Sequence, residues 1–142
     1  MPAFHLQSAT PYLYYEDAGA AAGWLVRILG FEPGPRYVND KGIVAEAEVS
    51  VGGQPLWLSG HGPGYWEAQG RRPDQLIIVW VDDVDAHYAH AVEAGVQADG
   101  PVTKPYGVRE YTLTDPEGYR WSVMQRLNTP VQVEDGWQVI HP

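Results

Sequence analysis

The stretch Leu113-Thr-Asp-Pro-Glu-Gly-Tyr-Arg-Trp-Ser-Val-Met-Gln125 decides how the rest of the chain is read. Asp115, Pro116 and Gly118 stand at the first, second and fourth positions of a four-residue turn, the pattern of a type I turn closed by a glycine bulge. Such a turn fixes strand register. It pairs Asp115 with Tyr119, Thr112 with Ser122 and Glu110 with Met124. Because a one-residue slip would exchange the two faces, register also fixes facing. One face of this hairpin carries Glu110, Thr112, Thr114, Arg120, Ser122 and Met124; the other carries Tyr111, Leu113, Trp121 and Val123, an apolar set made for packing under a helix.

Upstream, the same kind of unit occurs twice. Thr10-Pro-Tyr-Leu-Tyr-Tyr15 reads as a strand, Asp17 as the cap of a helix that stops at Gly30, and three short strands follow: 36–38, 43–51 and 54–59. Gly52-Gly53 closes the last two, pairing Val51 with Gln54, Val49 with Leu56, Glu48 with Trp57 and Ala47 with Leu58. In the second half, 75–81 is the strand, Asp83 the cap, and 84–94 the helix ending at Gly95. Strands 101–104, 109–114 and 119–125 complete it. The fold class is therefore α+β, with two tandem βαβββ modules at about 8–60 and 75–126. The Gly- and Pro-rich segment 61–74 reads as a linker, since no strand-to-helix phosphate loop follows its glycines. A tail, 127–142, remains, and Trp137 and Ile140 give it the means to add a strand or to pack on a partner chain.

Composition narrows the function classes. Nine basic against eighteen acidic residues give a formal charge of -9, which repels phosphate backbones and anionic lipid surfaces. No nucleic acid or membrane partner is expected. The absence of cysteine removes disulfides, thiolate nucleophiles and cysteine-ligated metals. No apolar run reaches membrane-spanning length and no signal sequence opens the chain, so a soluble, cytoplasmic protein is expected. Six Trp and nine Tyr against two Phe mean that most rings carry a polar handle, as at binding surfaces.

The tandem modules, the Asp-Pro-Glu-Gly-Tyr hairpin before the last strand, and helices ending in Leu-Gly-Phe-Glu-Pro and Glu-Ala-Gly-Val resemble the vicinal oxygen chelate superfamily of glyoxalase I, bleomycin resistance proteins and extradiol dioxygenases. The resemblance covers about residues 8–126. It implies a curved mixed sheet around a cleft, commonly completed by a homodimer, and in metal-dependent members four His or Glu ligands to one divalent ion. Carried over, those positions fall on Thr10, Trp57, Leu76 and Ser122, which lack the imidazole and carboxylate donors that zinc or iron requires. The expectation is a scaffold without metal or other cofactor. His87 and His90, three apart on the second helix, face its margin and outer surface; His5, His61 and His141 are isolated.

Extending strand parity directs Tyr12 and Tyr14 toward the cleft, with Glu46, Glu48 and Trp57 on the same side of their hairpin, and adds Ile78 and Trp80 from the second module. The expected ligand-binding set is Tyr12, Tyr14, Glu46, Glu48, Trp57, Trp80, Glu110, Thr112 and Ser122, a cage of rings with carboxylates. Such a cage suits a cationic or planar aromatic small molecule. By similarity to the bleomycin resistance branch, the first reading is a metal-free protein that sequesters such a compound, an antibiotic for example, and so confers drug resistance. The second is a lyase, isomerase or dioxygenase-type enzyme on the same scaffold, with Glu46, Glu48 or Glu110 as base or with an unrecognised metal site. No constellation for covalent catalysis is present.

Overall fold

A computed structural model describes residues 3–142. The chain divides into two compact units, Met1–Arg72 and Pro73–Pro142. The first contains β1 (Tyr12–Tyr15), α1 (Ala18–Trp24), β2 (Glu32–Val38), β3 (Val44–Val51), β4 (Gln54–Gly60) and α2 (Tyr65–Gln69). The second contains β5 (Leu76–Trp80), α3 (Val84–Glu93), β6 (Val102–Lys104), β7 (Val108–Thr114) and β8 (Arg120–Arg126). Each unit holds a four-stranded mixed sheet, ordered β1-β4-β3-β2 and β5-β8-β7-β6. The first strand of each pairs parallel with the last, and the remaining pairs are antiparallel. Two βαβββ modules of one topology are thus present.

In the first unit, Asp17 accepts the Ala20 N–H at 2.9 Å and starts α1, whose buried face is made of the small residues Ala18, Gly19, Ala21 and Ala22, with Trp24 at its end. Small side chains let the helix lie close to the sheet. A Cβ on Gly19 would come within 3.1 Å of the Val44 side chain. The helix then widens into a π-turn, Leu25–Leu29, in which the Leu25 carbonyl accepts from both Gly30 and Phe31. That extra residue lets Leu25, Ile28 and Leu29 all reach the core alongside Tyr15, Ala47, Val49, Leu56 and Leu58.

The second unit is built likewise. Asp83 accepts the Ala86 N–H at 3.0 Å, and the neighbouring Val84 N–H is taken by the Gln125 side chain at 3.0 Å, which ties the helix start to β8. Val84 and Ala91 are buried against Tyr111, Leu113, Trp121 and Val123. The hairpin turn is held by Asp115: its Oδ1 accepts from the N–H groups of Glu117, Gly118 and Tyr119, and its Oδ2 from Trp121 Nε1 at 3.2 Å. Every strand pair that the two turns predict is observed, including Thr112 with Ser122 and Glu48 with Trp57. Two elements differ from the sequence reading. Strand β2 begins at Glu32 and runs through Pro33, Gly34 and Pro35 as an edge strand with register shifts. Segment 61–74 contains α2, pinned by Trp66, which is 4% exposed and whose N–H donates to Glu16 Oε1. Among the described residues no helix is long and apolar enough to cross a membrane.

Candidate functional site

Alternation along each sheet leaves one face to the helix and one open. On β1, Leu13 and Tyr15 are buried while Tyr12 and Tyr14 are exposed, and on β4 Leu56 and Leu58 are buried while Trp57 is 39% exposed. Register then aligns two rungs across the open face of the first sheet: Tyr37, Glu46, Ser59 and Tyr14 in one, Glu48, Trp57 and Tyr12 in the next. Tyr12 donates its phenolic hydrogen to Glu46 Oε1 at 2.6 Å. That bond, with partial burial and the carboxylate's charge, holds the Tyr12 phenol above its ordinary range.

Five rings run on from one another here. Trp57 meets Tyr12 edge to face at 6.2 Å, Tyr12 meets Tyr14 at 5.7 Å, Tyr14 meets His61 at 4.7 Å, and His61 stacks on Tyr65 at 4.3 Å with planes 24° apart. His61 is further fixed by a 2.6 Å hydrogen bond between its Nε2 and Ser59 Oγ. His61 and Tyr65 were not among the sequence-predicted site residues. They lie in the Gly-rich segment, where no strand or helix period assigns a facing; the available signal was the adjacent pair Tyr65-Trp66, because burying Trp66 in a short helix turns its neighbour elsewhere.

Charge on this face is one-sided. Its strand positions carry Glu46, Glu48 and Glu32, the last accepting from Ser50 Oγ at 3.4 Å, and neither Lys nor Arg. Arg36 pairs with Ala47, which puts it on the helix side, and its guanidinium lies beside Gly19 of α1.

The second sheet places Trp80, Glu110, Thr112 and Ser122 on its own open face with Leu76 and Ile78, as parity predicts. Ser122 is only 2% exposed: it donates to Glu110 Oε2 at 3.2 Å and accepts from Thr112 Oγ1 at 3.4 Å. Glu110 also accepts from Tyr106 at 3.0 Å and lies 3.9 Å from Lys104 Nζ. Lys104, Glu110 and Thr112 border a cavity of about 240 Å³. The nine predicted site residues thus fall into two groups, five on the first sheet and four on the second. A shallow groove of about 640 Å³ beside α2, bordered by Glu16, Trp66 and Arg71, holds none of them.

A divalent metal at the family's four positions does not fit these residues. Thr10, Trp57 and Leu76 offer no imidazole or carboxylate, and the Ser122 hydroxyl is engaged by Glu110. Among the described residues no three His, Asp or Glu gather as a metal-holding group. His87 is tied through Nδ1 to the Tyr111 hydroxyl at 2.6 Å, and its ring lies 6.3 Å from that of His90.

Comparison with known proteins places this geometry. The profile of the Glyoxalase/Bleomycin resistance protein/Dioxygenase superfamily matches residues 5–123. TioX from Micromonospora sp. ML1 is similar at 29% identity and a TM-score of 0.68, over 85% of this chain and 99% of that one. TnmS3, an antibiotic binding protein from Streptomyces sp. CB03234, aligns at 23% identity and 0.64 over 87% and 99%. A glyoxalase-related enzyme from Clostridium phytofermentans aligns at 16% identity and 0.71 over 89% and 100%. No curated protein matches the chain.

Proposed function

The chain belongs to the Glyoxalase/Bleomycin resistance protein/Dioxygenase superfamily, and from that premise we propose that it is a metal-free cytoplasmic binding protein that sequesters a cationic, planar aromatic small molecule such as an antibiotic. The observation that carries this reading is the open face of the first sheet: a run of rings from Trp57 to Tyr65 beside Glu46 and Glu48, without a compensating Lys or Arg at the strand positions of that face. A ring stacked on this surface gains about 0.5–1.5 kcal/mol per contact beyond area burial, and a cation over a Trp or Tyr face about 0.5–2 kcal/mol. Several such contacts with apolar burial approach the roughly 8 kcal/mol of micromolar binding. The antibiotic-binding role of TnmS3, whose fold this chain shares, supports the assignment.

Isothermal titration against matched planar aromatics, one bearing an ammonium group and one neutral, tests it. The cationic probe is expected to bind at least tenfold more tightly, and Trp57→Ala and Glu46→Gln each to weaken it by about 1–2 kcal/mol. Equal affinities for both probes, with no effect of Trp57→Ala, would overturn the reading. So would stoichiometric zinc, iron, nickel or manganese in the purified protein together with an activity lost on chelation.

An enzyme using a cleft glutamate as base is the second reading, favoured by the Tyr12–Glu46 pair, in which the phenol donates to the carboxylate at 2.6 Å. Its mark would be turnover lost in Glu46→Gln and Tyr12→Phe alike. Exposed Trp137 and Ile140 in the tail support a homodimer, which sedimentation velocity checks.

A further inference from the structure

We infer that the open face of the second sheet carries a site, built on Trp80 and Arg126, for an aromatic carboxylate. Arg126 ends β8 on the open face, and its guanidinium carbon lies 3.7 Å from the centroid of the Trp80 ring. A guanidinium so close to an indole face is ordered before any ligand arrives, with N–H donors at its edge for a bidentate acceptor such as a carboxylate.

Among the described residues no acceptor of this chain takes a hydrogen bond from those donors. Among the described residues no carboxylate lies within ion-pair reach of Arg126. The acid on the neighbouring strand of the same face, Glu110, is already engaged by Ser122, Tyr106 and Lys104. In a chain with twice as many acids as bases, an arginine held on a ring and left unneutralised is unexpected as a mere surface charge. Alongside it, exposed Ile78 and the half-exposed Trp80 supply apolar area for the aromatic body of a ligand. The chemistry is opposite to that of the first sheet, whose open-face strand positions carry three glutamates and no base. The test reads Trp80 and Arg126 rather than the first sheet, so its failure and that of the cation-binding reading are distinguishable.

The test uses the full chain with ¹⁵N-labelled tryptophan and two matched probes, 2-naphthoate and 2-naphthylmethylammonium. The Trp80 indole resonance is assigned by its loss in Trp80→Phe. Naphthoate is expected to shift that resonance in a saturable way, and Arg126→Gln to weaken naphthoate about tenfold, the loss of one charge-assisted contact. Arg126→Lys, which keeps the charge but not the planar fork, should fall between the two, while the ammonium probe's affinity stays unchanged in both variants. Naphthoate that leaves the Trp80 resonance in place, or binds Arg126→Gln as well as the parent, would overturn the site. Self-association that drops in Arg126→Gln while naphthoate affinity is unaffected would also overturn it, by assigning the pair to an interface between copies.

Discussion

Asp115 shows how much one side chain can organise. A buried carboxylate here satisfies three backbone N–H groups of its own turn and the indole N–H of Trp121, the largest fully buried residue of the second unit. Asp115→Ala is expected to cost about 2–4 kcal/mol in urea unfolding, since it strips the acceptor from two buried donors, the Tyr119 N–H and the Trp121 indole, besides two part-exposed ones. Asp115→Asn keeps the turn acceptor but sets an amide N–H₂ against the indole N–H, at a cost of about 2 kcal/mol. An Asn variant as stable as the parent would show that the indole bond contributes nothing net. Tyr111, beneath α3, makes a second residue-scale prediction. Burial, aided by Tyr88 nearby, pushes its phenol up to about 12. The folded state holds this proton more tightly than the unfolded chain, so its contribution is intact below about pH 10 and lost as pH rises through about 12, up to about 3 kcal/mol in all. Absorbance titration at alkaline pH should show a late-ionising phenolate that Tyr111→Phe removes. The turn role of Asp115 was legible in its neighbours Pro116 and Gly118. Its bond to Trp121 was not, because that contact depends on which way an indole lies in a packed core.

At the scale of elements, what the sequence disclosed follows from where local rules are strong. Two tight turns set two hairpins, and every pairing deduced from them holds, because a two-residue or bulged turn admits one register. Strand β2 was under-read: Pro33, Gly34 and Pro35 look like breakers, yet prolines are tolerated on an edge strand whose outer N–H groups have no partner. Gly34 is there for a steric reason, since a Cβ would stand 2.8 Å from the Glu48 carbonyl oxygen. Gly34→Ala is therefore expected to push β2 off β3, raising amide exchange around Glu32–Val38 severalfold while β4 stays protected. Unchanged exchange there would mean that the bulged edge absorbs the methyl group. The open-face positions of Tyr12, Tyr14, Trp57 and Trp80 were legible from period-two alternation. Those of His61 and Tyr65 were not, since α2 takes its orientation from the burial of Trp66 rather than from any repeat.

For the molecule as a whole, a net charge of -9 conceals two faces of different sign. The first sheet's open face concentrates glutamates, while the second places Lys104, Arg120 and Arg126 on its own, with Arg120 donating to the Asp74 carbonyl. Raising ionic strength from about 0.05 to 0.5 M shrinks the Debye length from roughly 14 to 4 Å. It should weaken a cationic aromatic ligand several-fold but leave the affinity of its neutral analogue nearly unchanged. Parallel losses for both would place binding elsewhere than on the acidic face.

The alternation seen in Tyr12, Leu13, Tyr14 and Tyr15 also says how this protein can change its preferences. Under the proposed function, recognition falls on alternate letters of the strands that fold the unit, so substitutions at 12, 14, 46, 48 and 57 are expected to alter ligand preference while the buried letters between them stay as they are. A library randomised at those positions should keep most members folded. A single-residue deletion inside β1 or β4 would exchange the two alphabets and lose both at once.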